Sequence, residues 1–241
     1  MLGMFEAYVL HSISYRETSL IVKFFTKEYG IINLIANGAK RKKSQFAAIL
    51  QPFVPLLLYW KNHSIDLATL HKAEAIGGSH QLSGIYLFGA LYVNELLLRL
   101  LATHDPHPEL FNFYQQFLEN LSKINKSSNK IFLEKHLRFI EKKILKAIGY
   151  ELQLNKQTQT GESIDVNAKY YFDFEDGLML HKVELPISKV SQTTISGQSL
   201  LALHNESFVD PSEMQEAKIF MRKILANLLG NKPLETRKLF N

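Results

Sequence analysis

The chain has 241 residues, 46% of them hydrophobic and 21% charged, so it is long enough to bury a sizeable core and too apolar to be disordered. Its 28 Lys and Arg against 23 Asp and Glu give a formal net charge of +5, a basic bias compatible with a polyanionic partner. It has no cysteine, which excludes disulfides, thiol catalysis and cysteine-ligated metal centres and fits a reducing compartment.

The N-terminal third has the pattern of a small β-barrel. Turn signals such as Asn37-Gly38 and the polar turn at 62–64 separate the apolar runs, and Pro52 and Pro55 predict an edge or bulge. Strands are predicted over 5–14, 19–26, 31–36, 53–61 and 65–72. Five strands interrupted by 40–50, where one helical turn fits, match an OB-fold. A generic small barrel or SH3-like domain fits the strand count equally well.

The rest of the chain is predicted to be mainly helical, with one β insertion. Apolar spacing and caps predict helices over 84–102, 109–124, 131–148, 197–203 and 211–230. The first of these is long and apolar, but Asn94, Glu95 and Arg99 favour a buried helix over a membrane span. No signal peptide is expected at the N-terminus. Between the helices predicted over 131–148 and 197–203, the acidic stretch 151–185 predicts a hairpin over 169–174 and 177–180.

Positive charge is concentrated at one loop of the predicted barrel. Residues 1–75 carry nine basic and five acidic residues, and four consecutive cations follow the Gly38 turn: Lys40, Arg41, Lys42 and Lys43. Such a cluster could neutralise several phosphates, and we favour nucleic-acid binding over a merely solvated loop. Nearby aromatic residues could stack on bases, although each by itself is more typical of a barrel core: Tyr8, Tyr15, Phe24, Phe25, Tyr29 and Trp60.

A second basic region lies on the helix predicted over 131–148. Its cations alternate with the apolar face and are Lys135, Arg138, Lys142, Lys143 and Lys146. The default interpretation is a solvated helix face with Glu134 and Glu141 as pairing partners at helical spacing. No phosphate loop, GxSxG elbow or HExxH motif occurs, and His104 and His107 are expected at the surface. A binding protein is therefore favoured over an enzyme.

Landmarks along nearly the whole chain occur in a recognisable order. They are AYVLHS (7–12), YRETSL (15–20), FT (25–26), Gly30, GAK (38–40), LQPF (50–53), TL (69–70), Glu74, YVNELL (92–97), GY (149–150), LGNKPL (229–234) and RKLF (237–240). In this order and at this length the chain resembles the RecO family of bacterial recombination and repair mediators. No single landmark is diagnostic, but the set is specific.

The resemblance implies an α+β fold. An OB-fold β-barrel at 1–78 would precede an α-helical domain at 79–150 and 186–241, with a small β module inserted at 151–185. Some family members bind zinc through four cysteines in that module. Because this module has none, no zinc and no other cofactor is expected.

The resemblance also implies a cytoplasmic, non-enzymatic function without a membrane partner. Family members bind single- and double-stranded DNA, anneal complementary strands and, with RecR, help to load RecA onto DNA covered by the single-stranded-DNA-binding protein SSB. The residues expected to bind DNA are Lys40, Arg41, Lys42, Lys43, Arg16 and Tyr15. Those expected to bind the acidic C-terminal tail of SSB are Arg138, Lys142, Leu133 and Phe117. The alternative is a helical adaptor that binds acidic protein tails, with DNA binding incidental.

Overall fold

The computed structural model describes residues 3–61, 67–124, 129–181, 194–230 and 232–240, leaving aside the side chain of Phe240. The chain divides into two compact units. The first comprises residues 1–127 and 236–241, and the second comprises residues 128–235. The predicted turn at 62–64 lies outside the described residues.

Five strands of the first unit form a closed barrel in the order β1-β2-β3-β5-β4. They are β1 (Phe5–Tyr15), β2 (Ser19–Thr26), β3 (Gly30–Ala36), β4 (Leu56–Trp60) and β5 (Ala68–Ala75). Neighbours are antiparallel except β3 and β5, which pair in parallel at Leu34 and Ala68. The α1 helix (Gln45–Ile49) lies between β3 and β4. A closed five-stranded barrel followed by helices confirms the predicted fold class.

The β4 strand begins three residues later than the pattern predicts, and the predicted start of β5 at 65–66 lies outside the described residues. Pro55 has no N–H to donate to a ladder, and Phe53 adopts a φ of +66°, so the chain turns before Leu56. Backbone pairing between the two strands also continues beyond the residue where β5 is predicted to end. Pro55 accepts a hydrogen bond through its carbonyl from the N–H of Ile76 at 2.8 Å, which extends the pairing past the predicted end of β5.

Both faces of β1 are buried over residues 7–10, although alternation in a barrel strand normally leaves one face to solvent. Ala7 and Val9 belong to the barrel interior. Tyr8 lies on the opposite face, where its ring packs 5.6 Å from that of Phe111 and 5.2 Å from that of Tyr114, centroid to centroid. The outer face of this strand is therefore a second core between barrel and helices.

Two helices of the first unit cover that face, α2 (Gly84–Leu100) and α3 (Pro108–Ser122). The buried Asn94 of α2 connects them to the barrel: its Nδ2 donates to the carbonyl of Leu10 at 3.3 Å, and its Oδ1 accepts from the Tyr114 hydroxyl at 2.6 Å. This polar network explains the asparagine in the apolar run. Within the described ranges, no helix is both long and apolar enough to cross a membrane.

The second unit contains three helices and a small sheet. Its helices are α4 (Lys130–Ala147), α5 (Gly197–His204) and α6 (Pro211–Leu229). The α6 helix begins with the predicted capping arrangement: Asp210 Oδ1 accepts from Ser212 N–H at 2.7 Å, and Glu213 Oε2 accepts from Asp210 N–H at 3.3 Å. The reciprocal bonds satisfy N–H groups that no helical turn can reach. A 3₁₀ helix (Glu235–Phe240) follows, and from residue 236 onward it belongs to the first unit.

The sheet of the second unit has the order β7-β6-β8. The β6 (Lys169–Asp173) and β7 (Gly177–Leu180) strands form the predicted hairpin, and β8 (Thr194–Ser196) pairs with the other edge of β6. The sequence pattern does not indicate β8 because it has only three residues. Gly197 follows at once, where a Cβ would lie 1.9 Å from the carbonyl oxygen of Asp165, so only glycine allows this approach.

Candidate nucleic-acid interface

Two connections of the barrel meet at one end of it. The Lys40 N–H donates to the carbonyl of Thr18 at 2.9 Å, and the Ser19 hydroxyl donates to Asn37 Oδ1 at 3.3 Å. These bonds join the β1–β2 turn to the loop between β3 and α1. The structure therefore brings Arg16 into the same region as the four consecutive cations.

Apolar anchors on both sides hold this loop in place. Ala39 and Phe46 are buried in the barrel core, while the residues between them turn outward. The turn at Gly38 needs its φ of +67°, and the Arg41 N–H donates back to the Gly38 carbonyl at 3.0 Å. Ser44 then caps α1 by accepting from Phe46 N–H at 3.2 Å. The loop is thus ordered although its charged side chains lie in solvent.

The charged side chains of this region define what we call the cationic rim, namely Arg16, Lys40, Arg41, Lys42 and Lys43. All five are exposed. Within the described ranges, no carboxylate lies within 4 Å of any of them in an ion pair. Exposed cations without carboxylate partners are available to phosphates.

Tyr15 provides the rim with an aromatic surface. Its ring is half-buried, and the Arg16 guanidinium lies over it with Cζ 5.1 Å from the ring centroid. Arg16 adopts a φ of +51°, an uncommon conformation for a residue with a side chain. A nucleobase could stack on the exposed side of this planar pair while a phosphate contacts the guanidinium.

Four of the other five aromatic candidates are core residues, which agrees with the interpretation favoured for each of them, and Tyr29 is half-buried against the barrel core. Phe24 and Trp60 lie inside the barrel, and Tyr29 packs against Trp60 with ring centroids 5.3 Å apart. Tyr8 and Phe25 face the helices rather than solvent. Among the six, only Tyr15 and Tyr29 keep part of the ring surface exposed, and only Tyr15 lies beside the cationic rim.

Arg138 of α4 lies in the interior of the second unit, with 2% of its surface exposed. Its Nε and Nη2 donate to the two carboxylate oxygens of Glu141 at 2.7 and 2.6 Å, and Nη1 donates to Glu134 at 3.4 Å. Glu134 also pairs with Lys218 of α6. The structure thus contains the pairing at helical spacing that the sequence suggests, in a buried position.

The other three residues predicted to bind the SSB tail are also engaged or buried. Lys142 Nζ donates to the carbonyls of Leu203 at 2.7 Å and His204 at 3.1 Å, where it satisfies the C-terminal end of α5. Leu133 is buried in the second unit, and Phe117 is buried in the first. Three of the four residues therefore share one unit, and Phe117 belongs to the other.

A half-exposed face of α4 carries groups that the sequence interpretation did not single out for binding. Phe132 stacks on His136 with centroids 3.9 Å apart, and Lys135 Nζ lies 5.5 Å from the Phe139 centroid. Phe139 in turn stacks on Phe208. In the sequence, this face is indicated by an aromatic side chain directly next to each buried residue of the helix. The pattern can be recognised only once it is known which side of α4 is buried.

The described residues contain no group of three or more His, Asp or Glu side chains placed to hold a metal ion. The two histidines that lie close together in the sequence have different environments. His104 is exposed, whereas His107 Nε2 lies 3.1 Å from Asp105 Oδ2.

Comparison with known proteins connects this architecture to a family. Residues 1–78 match the family model described as Recombination protein O N terminal, and residues 81–238 match Recombination protein O C terminal. The chain is 41% identical to the DNA repair protein RecO of Methylococcus capsulatus over 98% of this chain and 91% of that protein. It is 40% identical to the protein of the same name from Nitrosospira multiformis, over 97% and 92%. The chain therefore belongs to the RecO family of DNA repair proteins.

Proposed function

We propose that this chain is a non-enzymatic mediator in the cytoplasm that binds single- and double-stranded DNA through its cationic rim and anneals complementary strands. The observation that carries the proposal is the hydrogen-bonded meeting of the β1–β2 turn with the loop of Lys40–Lys43, which collects five exposed cations beside Tyr15. In OB-folds, oligonucleotides bind to the face of strands 2 and 3 and to the β1–β2 and β4–β5 loops, and Arg16 lies in the first of these loops.

Annealing by such a surface needs no active-site group. The rim cations replace counterions on the phosphates of both strands, which reduces the repulsion between the strands. Phosphate contacts leave the base edges free to pair. Stacking on the Tyr15–Arg16 pair would hold an unpaired strand in an open conformation until its complement arrives.

A single experiment tests this proposal: annealing of complementary oligonucleotides, naked or covered with SSB, without nucleotide or metal. The variant replaces Lys40, Arg41, Lys42 and Lys43 with alanine. A control matched in charge replaces four exposed cations of the second unit with alanine, namely Lys130, Lys156, Arg222 and Lys223. We expect the rim variant to anneal slowly and to show a flatter dependence of DNA affinity on salt, with a slope lower by about 3–4. An unchanged affinity and slope would contradict the proposed site.

We further propose that this chain acts with RecR to help load RecA onto SSB-coated DNA, and that the α4 region binds the SSB tail. An arginine and a lysine beside apolar groups suit a peptide that ends in an apolar residue and a carboxylate. Since Arg138 is buried against Glu141 and Glu134, a tail carboxylate would reach it by displacing the longer contact to Glu134.

The tail proposal is tested with Arg138→Lys, which keeps the charge but loses the bidentate geometry. We expect weaker binding of an acidic tail peptide and unchanged binding of DNA, with Lys130→Ala as a control at an exposed cation of the same helix. Tail binding equal to that of the unmodified chain, at equal thermal stability, would contradict this role of Arg138.

The second candidate function is an adaptor for acidic protein segments. The aromatic and basic face of α4, with Lys135 over Phe139, favours it. If the rim variant retained DNA annealing while Lys135→Ala abolished tail binding, the adaptor function would account for the chain better.

A further inference from the structure

A cleft of about 400 Å³ in the first unit lies apart from the cationic rim, between β1, β4 and α3. Pro55, Leu57 and Ile76 supply accessible apolar walls. The polar groups that line it are the carboxylates of Glu6 and Glu119, the amide of Gln115, the imidazole of His80 and the phenol of Tyr8. An apolar trough with a few convergent polar groups is the usual form of a small-molecule site.

The Tyr8 phenol has no internal partner. The side chain is 1% exposed, and its hydroxyl has no hydrogen-bond partner among the described residues. Burial first, and then the charges of Glu119 and Glu6, raise the pKa of Tyr8, so the phenol keeps its proton. A buried hydroxyl without a partner loses the free energy of its bond to water, which a bound group would restore.

The carboxylates give the cleft its preference for charge. Glu6 pairs with Lys27 at 3.7 Å and Glu119 with Lys123 at 3.6 Å, both beyond hydrogen-bonding distance and both at half-buried carboxylates that water reaches. Such pairs are readily exchanged for a better-placed cation. Burial lowers the pKa of His80, so its imidazole is neutral near pH 7. The same ring stacks on that of Tyr8.

We propose that this cleft binds an organic cation, an ammonium or guanidinium group on an apolar stem. The stem would lie along Pro55, Leu57 and Ile76. The cation would donate to Glu6 and Glu119 and, once the side chains that cover it shift, to the oxygen of Tyr8. Lysine and arginine side chains of a partner polypeptide have this chemistry, and so do free alkylamines and alkylguanidines.

The test uses the full chain and two probes, agmatine as a free cation and the capped peptide Ac-Ala-Arg-Ala-NH₂ as a polypeptide source. Binding is followed by amide chemical shifts up to about 10 mM, the range expected for ligands this small. We expect 1-butanol, an apolar stem without a cation, not to bind. Binding of the peptide alone or of agmatine alone supports the site and identifies the source. Binding of neither, or equal binding of 1-butanol, overturns it.

Isosteric variants locate the binding. Glu6→Gln and Glu119→Gln should each weaken the probe by about tenfold, since each removes a charge-assisted bond. Glu28→Gln, at an exposed carboxylate outside the cleft, should have no effect. Equal affinity in all three variants would overturn the proposal.

Tyr8→Phe separates a binding role from a structural one. Because the hydroxyl has no partner, its removal should weaken the probe several-fold and leave the thermal stability equal or higher. Tyr114→Phe is the matched control, since that hydroxyl donates to Asn94 at 2.6 Å and its loss should lower stability. If Tyr8→Phe is destabilised as much as Tyr114→Phe, the Tyr8 hydroxyl is structural and the proposal fails.

Discussion

At the scale of single residues, the buried ion pair of α4 is the feature whose physics is clearest. Glu141 is fully buried and Arg138 nearly so, and two hydrogen bonds of 2.6 and 2.7 Å join them. Removal of either partner leaves a desolvated charge, so we expect Arg138→Met or Glu141→Met to cost about 3–5 kcal/mol in the free energy of unfolding. The double variant should cost less than either single one. Urea denaturation of the three variants checks this, and additive single effects would contradict it.

A titratable residue on the same helix predicts how stability depends on pH. Burial lowers the pKa of His136, against the opposing effect of its hydrogen bond to the Phe132 carbonyl at 2.9 Å. The unfolded chain therefore takes up a proton near pH 6.5 while the folded chain does not, so His136 causes stability to fall as pH decreases below that value. Compared with His136→Gln, the unmodified chain should lose more stability between pH 7.5 and 5.5 in urea denaturation. Parallel curves for the two proteins would contradict the prediction.

At the scale of elements, the cysteine-free β module is held by hydrogen bonds of its side chains and by close packing at its hairpin. Thr158 Oγ1 accepts from Leu178 N–H at 2.8 Å, and Gln157 donates to Glu162 at 2.8 Å. Gly177 packs so closely on Thr158 that a Cβ there would lie 2.3 Å from its hydroxyl oxygen.

Gly177→Ala should therefore destabilise the second unit far more than Gly161→Ala. Both glycines have positive φ, +77° and +71°, so both substitutions carry backbone strain of about 1 kcal/mol. Only Gly177→Ala adds a steric clash, because no atom lies within 4 Å of a Cβ at Gly161. Thermal denaturation of the two variants measures the difference, and equal melting temperatures would show that the Thr158 contact yields without cost.

Periodicity and turn chemistry predict well where these elements lie in the chain. They predict poorly which side chains of an element are buried. The β2 strand matches its prediction to the residue, and the Asp210 cap and the hairpin of 169–180 are present, because each is encoded by local chemistry. The positions of Arg138 and Lys142 were not predictable, since whether a cation on an amphipathic helix is exposed depends on the elements that pack beside it. The exposure of the cationic rim was easier to predict, because four consecutive charged side chains cannot all be buried.

At the scale of the whole molecule, the family comparison and the fold divide the chain at different places. The N-terminal family model ends at residue 78, but the first compact unit continues to residue 127 and includes 236–241. The Glu95 carboxylate accepts from the Thr236 hydroxyl at 2.6 Å and from its N–H at 2.9 Å, which attaches the end of the chain to α2.

The double burial of β1 has a consequence for how this protein can be dissected. Cut at residue 78, the barrel would lose α2 and α3 and would expose Tyr8, Leu10 and Phe25 to water as one contiguous apolar patch. We expect a 1–78 fragment to aggregate on expression, and the same fragment with these three residues changed to Thr, Ser and Thr to stay soluble by size-exclusion chromatography. The segment that the N-terminal family model covers is thus smaller than the compact unit that shields its apolar surface.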